Sequence, residues 1–247
     1  MIFSMFLTLF LVAQAAGHMS LQEPPARNVM WRMGFNDLPA HADDDYLICH
    51  EKSARNKCPP CGDSADTPPP HPHEGGGQWA TGIISRTYTM GQVMNIHVNV
   101  TRSHGGSIEF KLCPHDSIAT PVDQRCLDRY PLEIVGSNSR SVPIRAPYNS
   151  PEQISVRVRL PPGVACDQCV LQMTNTAEEF KPQKIMFRNC ADIAIEGNAK
   201  TNQAAGEPVG DPAFSISSRS GFGSGSGTSE TGFTPQIQHR LFFPERR

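Results

Sequence analysis

The 247-residue chain carries 22 Lys and Arg against 24 Asp and Glu, a formal net charge of −2 with a pI near 6.5. That balance argues against the strongly basic surface by which nucleic acid or an anionic membrane is held, so neither is expected as a partner. Charged residues make up only 19 % while Pro (22) and Gly (20) are abundant, which favours a turn-rich β protein over a helical one.

The chain opens with an apolar run from Ile2 to Ala13, too short to span a bilayer. It leads into small residues, with Ala15 and Gly17 at the −3 and −1 positions of a cut before His18. Residues 1–17 therefore read as a signal peptide, although the n-region lacks Lys and Arg and a cut after Ala15 or Ala16 is an alternative. No second apolar span follows, and a soluble, secreted, extracellular protein is expected. Cleavage before His18 would leave a terminal histidine able to grip one metal ion through both its α-amine and ring Nδ1. One further imidazole would complete a planar three-nitrogen set, which suits Cu(II).

Residues 18–80 read mostly as loop. Leu21 to Phe35 has no clean period, and its prolines break any long helix. Asp43-Asp44-Asp45 reads as a solvated acidic loop. Pro68 to Gly77 reads as an irregular, solvent-exposed tract in which His71 and His73 could grip a metal if extended. All eight cysteines (Cys49, Cys58, Cys61, Cys113, Cys126, Cys166, Cys169 and Cys190) follow the expected cut, and an even count in a secreted chain reads as disulfides. Spacing leaves the connectivity open, beyond a guess that Cys113 meets Cys126. Cys58-Pro-Pro-Cys61 and Cys166-Asp-Gln-Cys169 could also be two zinc knuckles, a weaker reading in an oxidising compartment.

From Gln78 the pattern changes to period two. Met94, Ile96, Val98 and Val100 alternate with Asn95, His97 and Asn99, and Ile108, Phe110 and Leu112 repeat the rhythm. Ile154 to Leu160 does the same, and Val170–Thr174 and Lys184–Glu196 look like two more strands. The expected fold is all-β: an antiparallel β-sandwich of the immunoglobulin or fibronectin-III type with long, disulfide-pinned loops. The folded domain should run over 18–197. Beyond it, residues 198–247 hold a Gly/Ser-rich stretch and read as a disordered tail. The sequon Asn99-Val-Thr101 makes Asn99 a candidate glycosylation site, facing outward in this strand.

His104 is the best-placed second imidazole. It sits in the turn Arg102-Ser-His-Gly-Gly106 between two strands, rigidly held yet able to reach the surface. His97, mid-strand on the polar face, reads as ordinary.

Together these residues resemble the lytic polysaccharide monooxygenases, most closely auxiliary-activity family fifteen, known from arthropods and some other eukaryotes. The similarity runs from His18 to about Ile195. It is carried by His18, Glu23-Pro-Pro-Ala-Arg27, Met30-Trp-Arg-Met-Gly-Phe35, Cys58-Pro-Pro-Cys-Gly-Asp63, Gly75-Gly-Gly-Gln-Trp-Ala-Thr-Gly82, His104-Gly-Gly-Ser-Ile-Glu-Phe-Lys-Leu-Cys-Pro114, Cys166-Asp-Gln-Cys-Val-Leu-Gln172 and Asn189-Cys-Ala-Asp-Ile-Ala-Ile195, in that order. The resemblance implies that His18 and His104 are the copper-binding histidine brace, with Phe187 at the axial position and Gln172 as a polar neighbour behind the ligands. It further implies a copper cofactor, an external electron donor, and an insoluble polysaccharide, chitin first and cellulose second. The reaction would be hydrogen abstraction at C1 or C4 using hydrogen peroxide or dioxygen, by a monomeric enzyme. Trp31, Trp79 and Tyr46 are candidate sugar-stacking aromatics. Met19 and Arg102 depart from the family pattern, where a glycine and a small alanine are common, and the segment between Gln172 and Lys184 is short. A non-catalytic chitin- or copper-binding protein on the same scaffold is the alternative.

Overall fold

In β4 (Val93–Arg102), Met94, Ile96, Val98 and Val100 are buried while Asn95 and His97 face solvent, so the period-two pattern becomes a half-buried central strand. The computed structural model describes residues 18–35, 37–53 and 57–197. The expected signal peptide and tail lie outside the described residues.

β4 pairs on one side with β1 (His18–Glu23) and on the other with β8 (Glu152–Arg159), and β6 (Glu133–Ile134) completes a four-stranded antiparallel sheet. The second sheet has the order β2 (Ile48–Glu51), β10 (Lys184–Glu196), β9 (Cys166–Thr176), β5 (Ser107–Pro114) and β7 (Ser141–Pro143). β3 (Arg86–Thr89) lies parallel to the last residues of β10, an exception to the expected antiparallel pattern. The two sheets close over one core that includes Leu21, Ile96, Val98, Phe110, Met173 and Phe187. Burial of such side chains contributes roughly 1.5–3 kcal/mol each, the main force holding a sandwich together.

Two differences from the sequence reading, at His18–Glu23 and around His73, have physical causes. His18–Glu23 is a strand, hidden because bulges between His18 and Met19 and between Leu21 and Glu23 break its alternation. β9 and β10 are buried almost throughout, because loops and α1 (Gln124–Leu127) cover their outer face, so they read as continuous runs. The tract around His73 is irregular as expected, but His73 is buried and not solvent-exposed. Its backbone N–H and its ring Nδ1 both donate to Asp63.

The long loops are pinned as anticipated. Cys49 pairs with Cys58, Cys61 with Cys190, Cys113 with Cys126 and Cys166 with Cys169, and no free cysteine remains among the described residues. Because Cys58 and Cys61 have different partners, the zinc-knuckle alternative falls away. A second pin is ionic: the Arg27 guanidinium donates to both oxygens of Asp192 on β10 at 2.6 and 2.7 Å and to the His73 carbonyl. Both side chains are buried, so their charges compensate each other where water cannot.

Candidate functional site

His104 stands where β4 ends and the chain turns into β5. The turn requires its two glycines. Gly105 and Gly106 have φ of +66° and +81°, and a Cβ at Gly106 would lie 2.1 Å from the Thr176 carbonyl oxygen. Asn175 on β9 donates to the Gly105 and Ser107 carbonyls, and the backbone N–H groups of Glu178 and Glu179 both donate to the His104 carbonyl. The turn is therefore clasped by the loop between β9 and β10.

That same loop sets the ring. His104 Nδ1 donates to Glu179 Oε2 at 2.5 Å, because a carboxylate can only accept. Its Nε2 is buried and has no hydrogen-bond partner among the described residues. A buried polar atom without a partner is costly, about 1–3 kcal/mol, unless something else satisfies it. With its proton committed at Nδ1, the ring presents a lone pair at Nε2, the state in which imidazole binds a metal. Phe180 packs against one side at 4.6 Å between centroids, and Phe187 lies near-parallel, at 5.8 Å and 13°.

His18 enters from the neighbouring strand. It pairs with Arg102, two residues before His104, and strand geometry then limits the two Cα atoms to within about 13 Å. The bulge after His18 interrupts the ladder at this end, and the Met19 N–H donates to the Asp45 carbonyl. Thr101 Oγ1 donates to the His18 carbonyl and to Asp45. The His18 ring, partly exposed, lies 5.1 Å from that of Tyr46. Met19, the unusual neighbour, is fully buried in the core, so its bulk points away from this surface.

The other sequence candidates separate clearly. Phe187 joins His104, as above. Gln172 does not: its strand partners are Cys190 and Lys111, which puts it on the opposite face of the sheet from Phe187 and Asn175. There its amide donates to the Pro60 carbonyl and to Gln124, a structural role remote from His104. Tyr46 is an exposed ring at the site. Trp31 donates to Asp44, and Trp79 packs on His41 and His73, so neither is a free-standing platform. His97 bonds to Ser155 on the solvent face, as expected of an ordinary residue. Asn99 faces outward but is half-buried and accepts from Gln153.

Sequence reasoning missed Glu179, Phe180 and the exposed Tyr148, whose ring covers Gly105. All three meet the His104 turn across more than 40 residues of chain, and no local pattern marks them.

Comparison with known proteins identifies the family. The family model described as "Lytic polysaccharide mono-oxygenase, cellulose-degrading" matches residues 18–193. Among solved structures, the AA15 lytic polysaccharide monooxygenase from Thermobia domestica in the Cu(I) state is 31 % identical with a TM-score of 0.64, over 72 % of this chain and 98 % of that one. A lytic polysaccharide monooxygenase from Cellvibrio japonicus, described as important for efficient utilization of chitin, is more distant at 12 % identity and a TM-score of 0.48, over 72 % and 99 %. No curated protein matches. Matched from His18 through the strands that carry the His104 turn, the chain belongs to the lytic polysaccharide monooxygenases of the AA15 type and is a copper-dependent oxidoreductase that degrades polysaccharide oxidatively.

Proposed function

We propose that His18 and His104 hold the copper and that the enzyme is secreted, loses residues 1–17, and cleaves crystalline chitin, with cellulose second. The observation that carries the ligand assignment is His104: its Nδ1 proton is spent on Glu179, and its buried Nε2 has no other partner. Among the described residues no group of three His, Cys, Asp or Glu side chains converges as a metal site. The amine of a terminal His18, together with its ring and the His104 ring, would supply three nitrogens. That the family model begins to match at His18 supports the same cut.

Copper held there supplies one-electron chemistry that, with an external donor and hydrogen peroxide or dioxygen, removes hydrogen from C1 or C4 beside a glycosidic bond. The protein's own part is positional. Glu179 keeps the His104 proton on Nδ1, and Phe187 and Phe180 shield the ring from water. Tyr46 beside His18 and Tyr148 over Gly105 are the exposed aromatic faces on which sugar rings stack. Chitin is placed ahead of cellulose on the resemblance to the arthropod-type enzymes. Arg102, paired with His18, stands where the family commonly has a small residue.

The test is N-terminal sequencing of the secreted protein, then copper loading, EPR and product analysis on insoluble chitin and on cellulose with a reductant. His18 as first residue, a three-nitrogen signal lost in His104→Ala, and oxidised chitin oligosaccharides in excess of cellulose products are expected. A different first residue or a signal indifferent to His104 would overturn the ligand assignment, and cellulose products alone would overturn the substrate.

A further inference from the structure

A second pair of histidines faces each other away from this site. His41 Nε2 and His73 Nε2 are 3.0 Å apart, with the Trp79 ring 4.6 Å from His41 and near-parallel to His73. His73 is 3 % exposed, and its Nδ1 donates to Asp63 Oδ1 at 2.7 Å, so its Nε2 carries a lone pair directed at His41. His41 Nδ1 is buried with no hydrogen-bond partner among the described residues. Moving the His41 proton to Nδ1 therefore breaks nothing but the one N–H···N contact, and it leaves two lone pairs facing each other across 3.0 Å, which a tilt of each ring would turn toward one ion beside that line.

Two nitrogens 3.0 Å apart, each about 2.0–2.1 Å from a shared ion, subtend about 95°. That is the cis angle of a tetragonal ion, and opening the pair by a few tenths of an ångström would suit a tetrahedral one. Behind His73 stands the carboxylate of Asp63, the partner that metal-binding histidines use to fix orientation and raise basicity. Burial, and then the neighbouring His73, hold His41 below the ordinary imidazole pKa, while Asp44 and Asp43 oppose this with a negative field.

We propose that His41 and His73 form a second transition-metal site, distinct from the His18/His104 end, that takes one divalent ion, Cu(II) or Zn(II), on its two Nε2 atoms with water at the remaining positions. Occupancy would clip the loop of His41, which leads into Asp44, Asp45 and Tyr46, to the loop of His73 and Trp79. The segment beside His18 would thereby be stiffened by a metal that takes no part in the reaction.

Zn(II) titration calorimetry on the full mature protein tests this, with His41→Ala, His41→Gln and His104→Ala variants. The expected count is two ions per chain in the wild type and one in each variant. Cu(II) at the second equivalent should also quench Trp79 emission, read in a Trp31→Phe background, and His41→Ala should abolish that quenching. His41 is only partly buried, so the variants should match wild-type thermal unfolding in chelator. If the His18/His104 end took no ion, the counts would be one in the wild type and none in the His41 variants, and the second site would still stand. Identical stoichiometry in wild type and both His41 variants would overturn it, as would quenching that survives His41→Ala.

Discussion

Glu179 accepts the Nδ1 proton of His104 while the backbone N–H groups of Glu178 and Glu179 cap that residue's carbonyl, so one loop fixes both the ring and the main chain of the proposed ligand. Groups that hold a metal-binding histidine in this way govern affinity nearly as much as the ligand itself. Glu179→Gln replaces a full acceptor with an amide that can present either end. The expected outcome is a 10–100-fold loss of Cu(II) affinity by chelator competition, with altered EPR parameters and little change in unfolding. An unchanged affinity and spectrum would show that Glu179 merely decorates the turn.

Phe187 is fully buried and near-parallel to the His104 ring. Phe187→Ala should therefore cost about 3–5 kcal/mol of stability as a core cavity, whatever its role at the metal. Phe187→Tyr separates the two roles. It nearly conserves volume, and it adds a hydroxyl oxygen at the tip of the ring. If the ring caps the copper axially, the Cu(II) EPR spectrum of Phe187→Tyr should shift while its thermal unfolding stays close to wild type. A spectrum identical to wild type would make Phe187 a core residue only.

How far the sequence could be read depended on whether one face of an element meets water. β4, β5 and β8 each present polar residues outward, so their alternation showed both the strand and its inner face. β9 and β10 are covered on both sides, and there the parity of a residue cannot be judged without the register. Gln172 shows the consequence. Only its pairing with Cys190, set against the pairing of Asn175 with Phe187, reveals that it faces away from His104. His104 itself was legible because its turn is local. Glu179 was not, since it meets that histidine from 75 residues further along. His73 looked exposed among prolines and glycines, but Asp63 and Arg27, from other parts of the chain, hold it inside.

The disulfides should contribute unequally. Cys61 and Cys190 are 129 residues apart, whereas Cys166 and Cys169 are three apart. In the chain-entropy model the first should stabilise by about 5 kcal/mol and the second by about 2. Urea unfolding of the paired Cys→Ala variants checks the order. Loss of Cys61–Cys190 should lower stability most, because it also frees the loop over the outer face of β10. Equal losses from the two pairs would rule out the entropic account here.

Glu74 gives the protein a pH dependence of unusual sign. Its side chain is fully buried, Oε1 accepts from the Cys61 N–H, and Oε2 has no partner among the described residues. Burial pushes its pKa up to about 7, against the Cys61 hydrogen bond and the field of Arg27. Between its ordinary carboxylate value and pH 7 the folded protein holds a proton that the unfolded chain has released. From this group alone, stability therefore falls as pH rises through that window and levels off above it. The shift corresponds to a cost on the order of 3 kcal/mol at pH 8. Glu74→Gln keeps an oxygen for the Cys61 N–H and removes the buried charge. The variant should be more stable than wild type at pH 8 and no more stable at pH 5, as read by urea midpoints with unchanged slopes. An advantage that is the same at both pH values would show that Glu74 does not titrate in this range.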